Sequence, residues 1–426
     1  ETSFCLLVLL ELRANKLRQK PTRDIWNSWA QTEASQNGMR QLNEQIINIW
    51  ELFIDEYRTA AEIEHVLWTE FPSGASTRGL LVDLLSADLP SQLVCHEVVI
   101  LSLINFWKYG PSQTSSTAGI GLRYDAVCTP RVLHALDLAT HLSYFGLLVS
   151  YVLHPRYEPV ISGLHYFGAR EIILVVFSSS ILVRPRTWFN IPFAITLLVF
   201  LVNIPLVPFA GSFSFDILLF SFALHAFMFH LPRPPSPLFV FRVRRTLPFA
   251  GFLARGFYHI VLPLALFFLP VFILSVYWLS MALSDTFFTS QSLTNISTHI
   301  PTPMETRTTV LFMFFTLLVL VSCSLFIFVV QGRGLDANAS GWDAYSSPVG
   351  RDARATFARA VISYSAPYTF PAPFSLLQAI VIRGPSVVLV DWLRLKLPFA
   401  QAEKILWRIC VGPVGLVFGL VMALFP

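Results

Sequence analysis

Charge is what this chain has least of. Of its 426 residues, 13% are Asp, Glu, Lys or Arg, where an ordinary soluble domain carries about 25%. A water-facing globule of this length could not cover itself with so little polar surface. The same scarcity excludes a disordered chain and a nucleic-acid binder, both of which need dense charge. Cysteine is sparse too: Cys5, Cys95, Cys128, Cys323 and Cys410 stand singly. No two have metal-ligand spacing, and an odd count is a poor basis for a disulfide framework. There is no Gly-rich phosphate loop, no dinucleotide fingerprint and no nucleophile elbow. His134 and His141, His154 and His165, and His225 and His230 are loose pairs, unlike the clustered histidines of iron-binding membrane oxidases. The chain therefore reads as non-enzymatic, with no cofactor, no resident metal and no nucleic-acid partner.

What is present is apolar. Hydrophobic residues make up 54% of the chain and Phe occurs 38 times; the mean hydropathy is +0.60. The expected fold class is all-α: a polytopic helical membrane protein in a lipid bilayer, with an N-terminal cytosolic helical domain before a six-span core. Residues 1–21 read as the end of a truncated helix, because the apolar run at 3–12 is short and no basic segment precedes it.

Residues 22–109 read as a soluble helical domain. Leu42, Ile46, Ile49, Trp50, Phe53, Ile54 and Tyr57 recur at steps of three and four, the stripe of an amphipathic helix capped by Thr22 or Asp24. Pro72-Ser73-Gly74 interrupts it, and Leu93–Trp107 reads as a buried core helix. Residues 110–130, rich in Ser, Thr and Gly at the start, read as a linker.

Six apolar runs follow within 131–331, at 132–153, 160–183, 188–209, 213–231, 257–283 and 309–330. Each approaches the ~20 residues that cross an apolar slab about 30 Å thick. Arg184 and Arg186 lie after span two, Arg233, Arg242, Arg244 and Arg245 after span four, and Arg333, Arg351, Arg354 and Arg359 after span six. These loops fall on one side, which the positive-inside rule makes cytosolic. The sequon at Asn295 then faces the opposite side and is the glycosylation candidate, while the sequon at Asn338 faces the cytosol. Residues 332–426 read as a cytosolic or interfacial tail. Arg383 interrupts 374–393 and favours a broken or interfacial helix over a span; 405–425 is a possible final membrane helix, with Gly415 and Gly419 at small-xxx-small spacing.

Ionisable groups inside spans are functional candidates. Asp137 and His141 lie one turn apart on span one, span two carries Arg170 and Glu171, and span four carries Asp216 near its outer end. Asp137 is placed to pair with Arg170, either tying spans together or lining an ion or proton path. Span four contains no Lys or Arg, so it has no gating charge and excludes a voltage sensor.

The layout, a cytosolic helical domain before six spans and a cytosolic tail, resembles that of TRP-type cation channels. Three stretches resemble fungal membrane proteins related to the fungal vacuolar TRP-type calcium channel. They are HPRYEPV at 154–160, LPLALFFLPVFILSVYWLSMALSDTF at 262–287 and WDAYSSPVGRDARATFARAVISYSAPYTFPAP at 342–373. The resemblance implies a calcium or other cation channel, homo-oligomeric, in a vacuolar, endomembrane or plasma membrane. Asp285 and Glu305 would then sit at the pore mouth, where carboxylates gather permeant cations. The loop at 284–308 carries no apolar pore helix and no Gly-rich filter. That departure keeps open a second reading, a non-conducting membrane scaffold or assembly subunit that binds a partner through its cytosolic helices.

Overall fold

The computed structural model describes residues 2–18, 25–56, 59–72, 78–80, 93, 95–110, 120–155, 168–184, 190–204, 207–209, 211–229, 231–267, 341–365, 368–386, 389 and 399–424, with positions 270, 273, 274, 312, 315, 316 and 318–324. The expected pore-mouth residues Asp285 and Glu305, the sequons at Asn295 and Asn338, and the proposed caps Thr22 and Asp24 lie outside these. The chain divides into two compact units, Glu1–Val243 with Arg354–Pro426, and Arg244–Ala353.

The first unit opens with α1 (Thr2–Arg18) packed on α2 (Ile25–Glu56). Leu6, Leu7 and Leu10 of α1 are buried, as are Leu42, Ile46, Trp50 and Phe53 of α2. Four residues of the stripe read from the sequence therefore form the packed face; Ile49 and Ile54 are half-buried, and Tyr57 lies outside the described residues. Next, α3 (Ala60–Leu67) starts at a capping box. The Thr59 hydroxyl accepts from the Glu62 N–H at 3.3 Å, and the Glu62 carboxylate accepts from the Thr59 N–H at 3.4 Å, so two orphan donors of the first turn are satisfied. An antiparallel pair, β1 (Glu70–Pro72) and β2 (Arg78–Leu80), departs from the purely helical expectation. It flanks Pro72-Ser73-Gly74, where the sequence alone predicts only a helix break. Strands of three residues are too short to show alternation in a sequence.

Then α4 (Glu97–Tyr109) buries Val99, Ile100, Leu103, Phe106 and Trp107, as a core helix should. Phe106 stacks on Trp68 with centroids 3.6 Å apart. A helix, α5 (Ile120–Val127), occupies part of the stretch read as linker.

Four helices then close on one another in sequence order: α6 (Pro130–Leu153), α7 (Ala169–Leu182), α8 (Ile191–Val202) and α9 (Phe213–Phe229), with α9 returning to α6. They correspond to the first four expected spans. The Thr129 hydroxyl caps α6, and Pro130 takes the first turn, where its missing N–H costs nothing. Tyr144, Leu148, Tyr151, Leu174, Phe200 and Leu218 form the bundle's core. Outward lie Ile172, Leu198, Val202 and Phe220, all exposed. Among the described residues, α6 is the one helix that is by itself long and apolar enough to cross a membrane.

At the C-terminal end of this unit, α13 (Phe374–Gln378) continues through a π-helical turn, Ala379–Arg383, into a short turn at Gly384–Ser386. Two further helices, α14 (Phe399–Cys410) and α15 (Gly412–Leu424), meet at a 52° bend; taken as a pair they also pass as a membrane segment. Arg408 of α14 grips Asp125 of α5 with two bonds, 2.9 and 2.7 Å, and the Gly121 carbonyl with a third at 2.9 Å. α15 lies against α5 and α6.

The second unit contains most of α10 (Val243–Gly256), a π-helical turn at Phe257–Val261, α11 (Leu262–Phe267) and the start of α12 (Ser347–Ser363). α10 is amphipathic: Leu247 and Phe252 are buried while Arg244 and Arg245 are exposed. Phe252 stacks on Tyr345 at 5.0 Å.

Candidate functional site

Among the described residues of the first unit, Asp137 is the most connected polar group. It lies in the third turn of α6 and is 3% exposed. Burying a carboxylate is tolerated only when it is paired and hydrogen-bonded. Three side chains do this. Arg184, just past the end of α7, donates Nη1 to both carboxylate oxygens, at 3.0 and 3.1 Å. Tyr364 donates its hydroxyl to Oδ2 at 3.0 Å. His141, one turn along α6, places Nδ1 3.7 Å from Oδ1 and 2.8 Å from the Asp137 carbonyl oxygen. The other arm of Arg184 reaches the Phe370 carbonyl at 2.9 Å. One guanidinium thus joins the bundle to the segment that follows α12. Burial, reinforced by Asp137 beside it, raises the Tyr364 hydroxyl well above the ordinary range, so it stays protonated and acts as a donor.

The pairing expected from the sequence, Asp137 with Arg170, is not the one formed. Arg170 sits in the first turn of α7 and donates to the Ser150 and His154 carbonyls at 3.1 and 3.3 Å. It lies over the Tyr151 ring and 3.6 Å from buried Glu171. The reason is register. α6 and α7 run antiparallel, as the bonds from Arg170 to Ser150 and from Arg184 to Asp137 show. Arg170 faces the end of α6, and Asp137, some 25 Å earlier along α6 at 1.5 Å per residue, faces Arg184. Asp216 is exposed in the first turn of α9, where the helix dipole favours a carboxylate. Asp137 and His141 therefore share a site, whereas Arg170 with Glu171 and Asp216 lie elsewhere.

Residues not singled out as partners complete the site. His134, a turn before Asp137, is fully buried, with Nε2 3.0 Å from the Ser236 carbonyl oxygen and Nδ1 3.4 Å from the Tyr364 hydroxyl. Trp107 of α4 packs against His134, Phe239, Phe357 and Tyr364, with ring centroids 5.5 to 6.3 Å apart. The N-terminal helices therefore reach the Asp137 cluster through one aromatic box. His225 of α9 lies 3.4 Å from the Tyr144 hydroxyl, which accepts from Ser178 at 3.2 Å.

Beside Asp137 lies a cavity of about 570 Å³, bounded by the bundle on one side and the chain around Tyr364–Arg383 on the other. His141, His225 and Phe229 line the bundle wall; Tyr368, Arg383 and Glu403 line the opposite wall. Gln378 bonds Glu403. Beyond Tyr144 the bundle interior is closed, since Leu148, Leu174, Phe200 and Leu218 are wholly buried. Among the described residues no three His, Cys, Asp or Glu side chains converge to hold a metal ion.

No family model matches the chain, and no curated protein matches it. Among solved structures it is similar to cryo-EM structures of the thermo-sensitive TRP channel TRP1 from the alga Chlamydomonas reinhardtii. In detergent the identity is 13% and the TM-score 0.48, over 99% of this chain and 63% of that one. In nanodiscs the identity is 15% and the TM-score 0.46, over 99% and 64%. The chain thus spans less than two thirds of the length of either. The likeness is one of layout.

Proposed function

We propose that this chain is an integral membrane protein built like a cation channel, not gated by voltage, working as a homo-oligomer and without enzymatic activity. The observation that carries the reading is the closed four-helix bundle of α6–α9 in a chain of this hydrophobicity. Beyond Tyr144 the packed interior of the bundle leaves no path for an ion, so this reading assigns conduction to the expected spans five and six, which follow the amphipathic α10. α9 carries no Lys or Arg, which supports a bundle that does not sense voltage. With the Arg-rich loops cytosolic, the Asp137 cavity opens toward the cytosol. Calcium is the favoured ion on the sequence resemblance, and an endomembrane or the plasma membrane the favoured location.

Planar-bilayer recording of the purified protein at two ionic strengths tests this. The intact protein should pass cation current with little voltage dependence. Asp285→Asn with Glu305→Gln should lower conductance at low salt and matter less at high salt, because the Debye length shrinks from about 30 Å at 0.01 M to about 3 Å at 1 M. Silence of the intact protein under every stimulus would favour a non-conducting scaffold.

A further inference from the structure

The α1–α2 hairpin carries an apolar face that no described residue covers. While Leu6, Leu7 and Leu10 pack on α2, Phe4, Val8 and Leu12 recur at one-turn intervals and are 48%, 42% and 44% exposed. Leu52 of α2 is 58% exposed, and Ile49 joins Phe4 and Val8 in lining a groove of about 580 Å³ between the two helices. A contiguous apolar strip of this kind on a polar hairpin marks an interaction surface.

Charge identifies the occupant. The bond from Thr2 to Glu56, and that from Arg13 to Asn43 at 2.9 Å, fix the hairpin as antiparallel. One end then presents Glu51, Asp55 and Glu56, all exposed. The other presents Lys16 and Arg40, with Glu44 paired to Arg40 at 3.5 Å. Glu11 lies half-buried between them. An anionic bilayer surface would be repelled by the acidic end. A second hairpin turned through a two-fold axis would lay its basic end on the first one's acidic end and its apolar strip on the first one's strip. Such a patch is self-complementary, the defining property of an isologous contact.

We propose that two copies of this chain pair through their α1–α2 hairpins, on a two-fold axis close to Val8, the midpoint of the Phe4–Leu12 strip. This deepens the homo-oligomer reading and rests on it. The geometry makes specific demands. A residue on the axis meets its own copy, so Val8 faces Val8. Off the axis, Phe4 of one copy faces Leu12 of the other.

The test is oxidative cross-linking of the full chain in native membranes, in a Cys5→Ser background because Cys5 lines the same groove. Val8→Cys should give about tenfold more disulfide-linked dimer than Tyr109→Cys, since pairing holds the two thiols at an effective concentration in the mM range. Tyr109 is the control because it is 75% exposed and lies on α4, away from the strip. Phe4→Cys and Leu12→Cys should each cross-link weakly alone and strongly when co-expressed. Subunit counting by single-molecule photobleaching accompanies the gels. If Val8→Cys links no better than Tyr109→Cys while several subunits are counted, the hairpin contact is overturned and the homo-oligomer reading stands. A count of one subunit overturns both.

Discussion

Arg184→Gln should lower the stability of the purified protein by about 3–5 kcal/mol, the cost of leaving a buried carboxylate without its counter-charge. Asp137 has little other recourse: it is 3% exposed, and its remaining donors are the Tyr364 hydroxyl and a half-buried His141. Asp137→Asn should cost less, because the Arg184 side chain is 24% exposed and keeps its bond to the Phe370 carbonyl. The double variant should lose less than the sum of the singles, with a coupling of about 0.5–3 kcal/mol. Arg170→Gln is the independent case. It removes bonds to two rim carbonyls and the cation 3.6 Å from buried Glu171, so it should destabilise as well, but in combination with Asp137→Asn its loss should simply add, since the two side chains share no partner. Thermal unfolding of the parent and these variants in one detergent decides. Strict additivity of Asp137→Asn and Arg184→Gln would contradict the pairing.

Gly415→Ala should also destabilise, and Cys128→Ala should reverse the loss. A methyl group built on Gly415 would lie 2.5 Å from the Cys128 sulfur and, once past it, 3.9 Å from the Cys128 Cβ, an ordinary contact. Forcing α15 off α5 and α6 belongs to the class of overpacking changes that cost about 1–3 kcal/mol. It opposes a gain of up to about 1 kcal/mol from exchanging Gly for Ala within a helix. In the double variant the clash is gone and the gain remains, so its unfolding temperature should equal or exceed that of the parent. Limited proteolysis of the C-terminal helices adds a local readout: cleavage should rise in Gly415→Ala alone. The Cys128 thiol is pushed up to about 11 by burial and then by Asp125. It is therefore protonated near neutral pH, and the effect of removing it is one of volume. Loss of stability in both variants would remove the close approach of α15 from the account.

Much of this arrangement is legible in the sequence where it depends on spacing along one helix. The stripe of α2 follows from steps of three and four, the core helix α4 from its apolar density, and the Asp137–His141 neighbourhood from a separation of one turn. What depends on two segments meeting is less legible. Asp137 offered two arginines, and charge alone does not choose between them; the antiparallel register of α6 and α7 does. Arg184 looked like a topogenic loop charge, yet it is also the main partner of the buried acid. Tyr364 lies 227 positions from Asp137 in an aromatic, Pro-rich stretch, and no local pattern marks its hydroxyl as a donor to span one. Likewise α5 follows a Ser- and Gly-rich run that predicts a linker, but the grip of Arg408 on Asp125 and Gly121 comes from the far end of the chain. The small-residue step at Gly415 and Gly419 is legible in the sequence, but only the packing supplies its partners: Cys128 for one and Val127 for the other.

The central claim is that the sealed bundle stands at the periphery of a conducting oligomer. A single-particle structure of the purified full-length chain in lipid nanodiscs tests it most directly. The account predicts a symmetric homo-oligomer with spans five and six around a central axis wide enough for a cation, α6–α9 on the outside, and Asp137 bonded to Arg184 in every copy. A monomer, or an oligomer whose axis is filled by lipid, would contradict it.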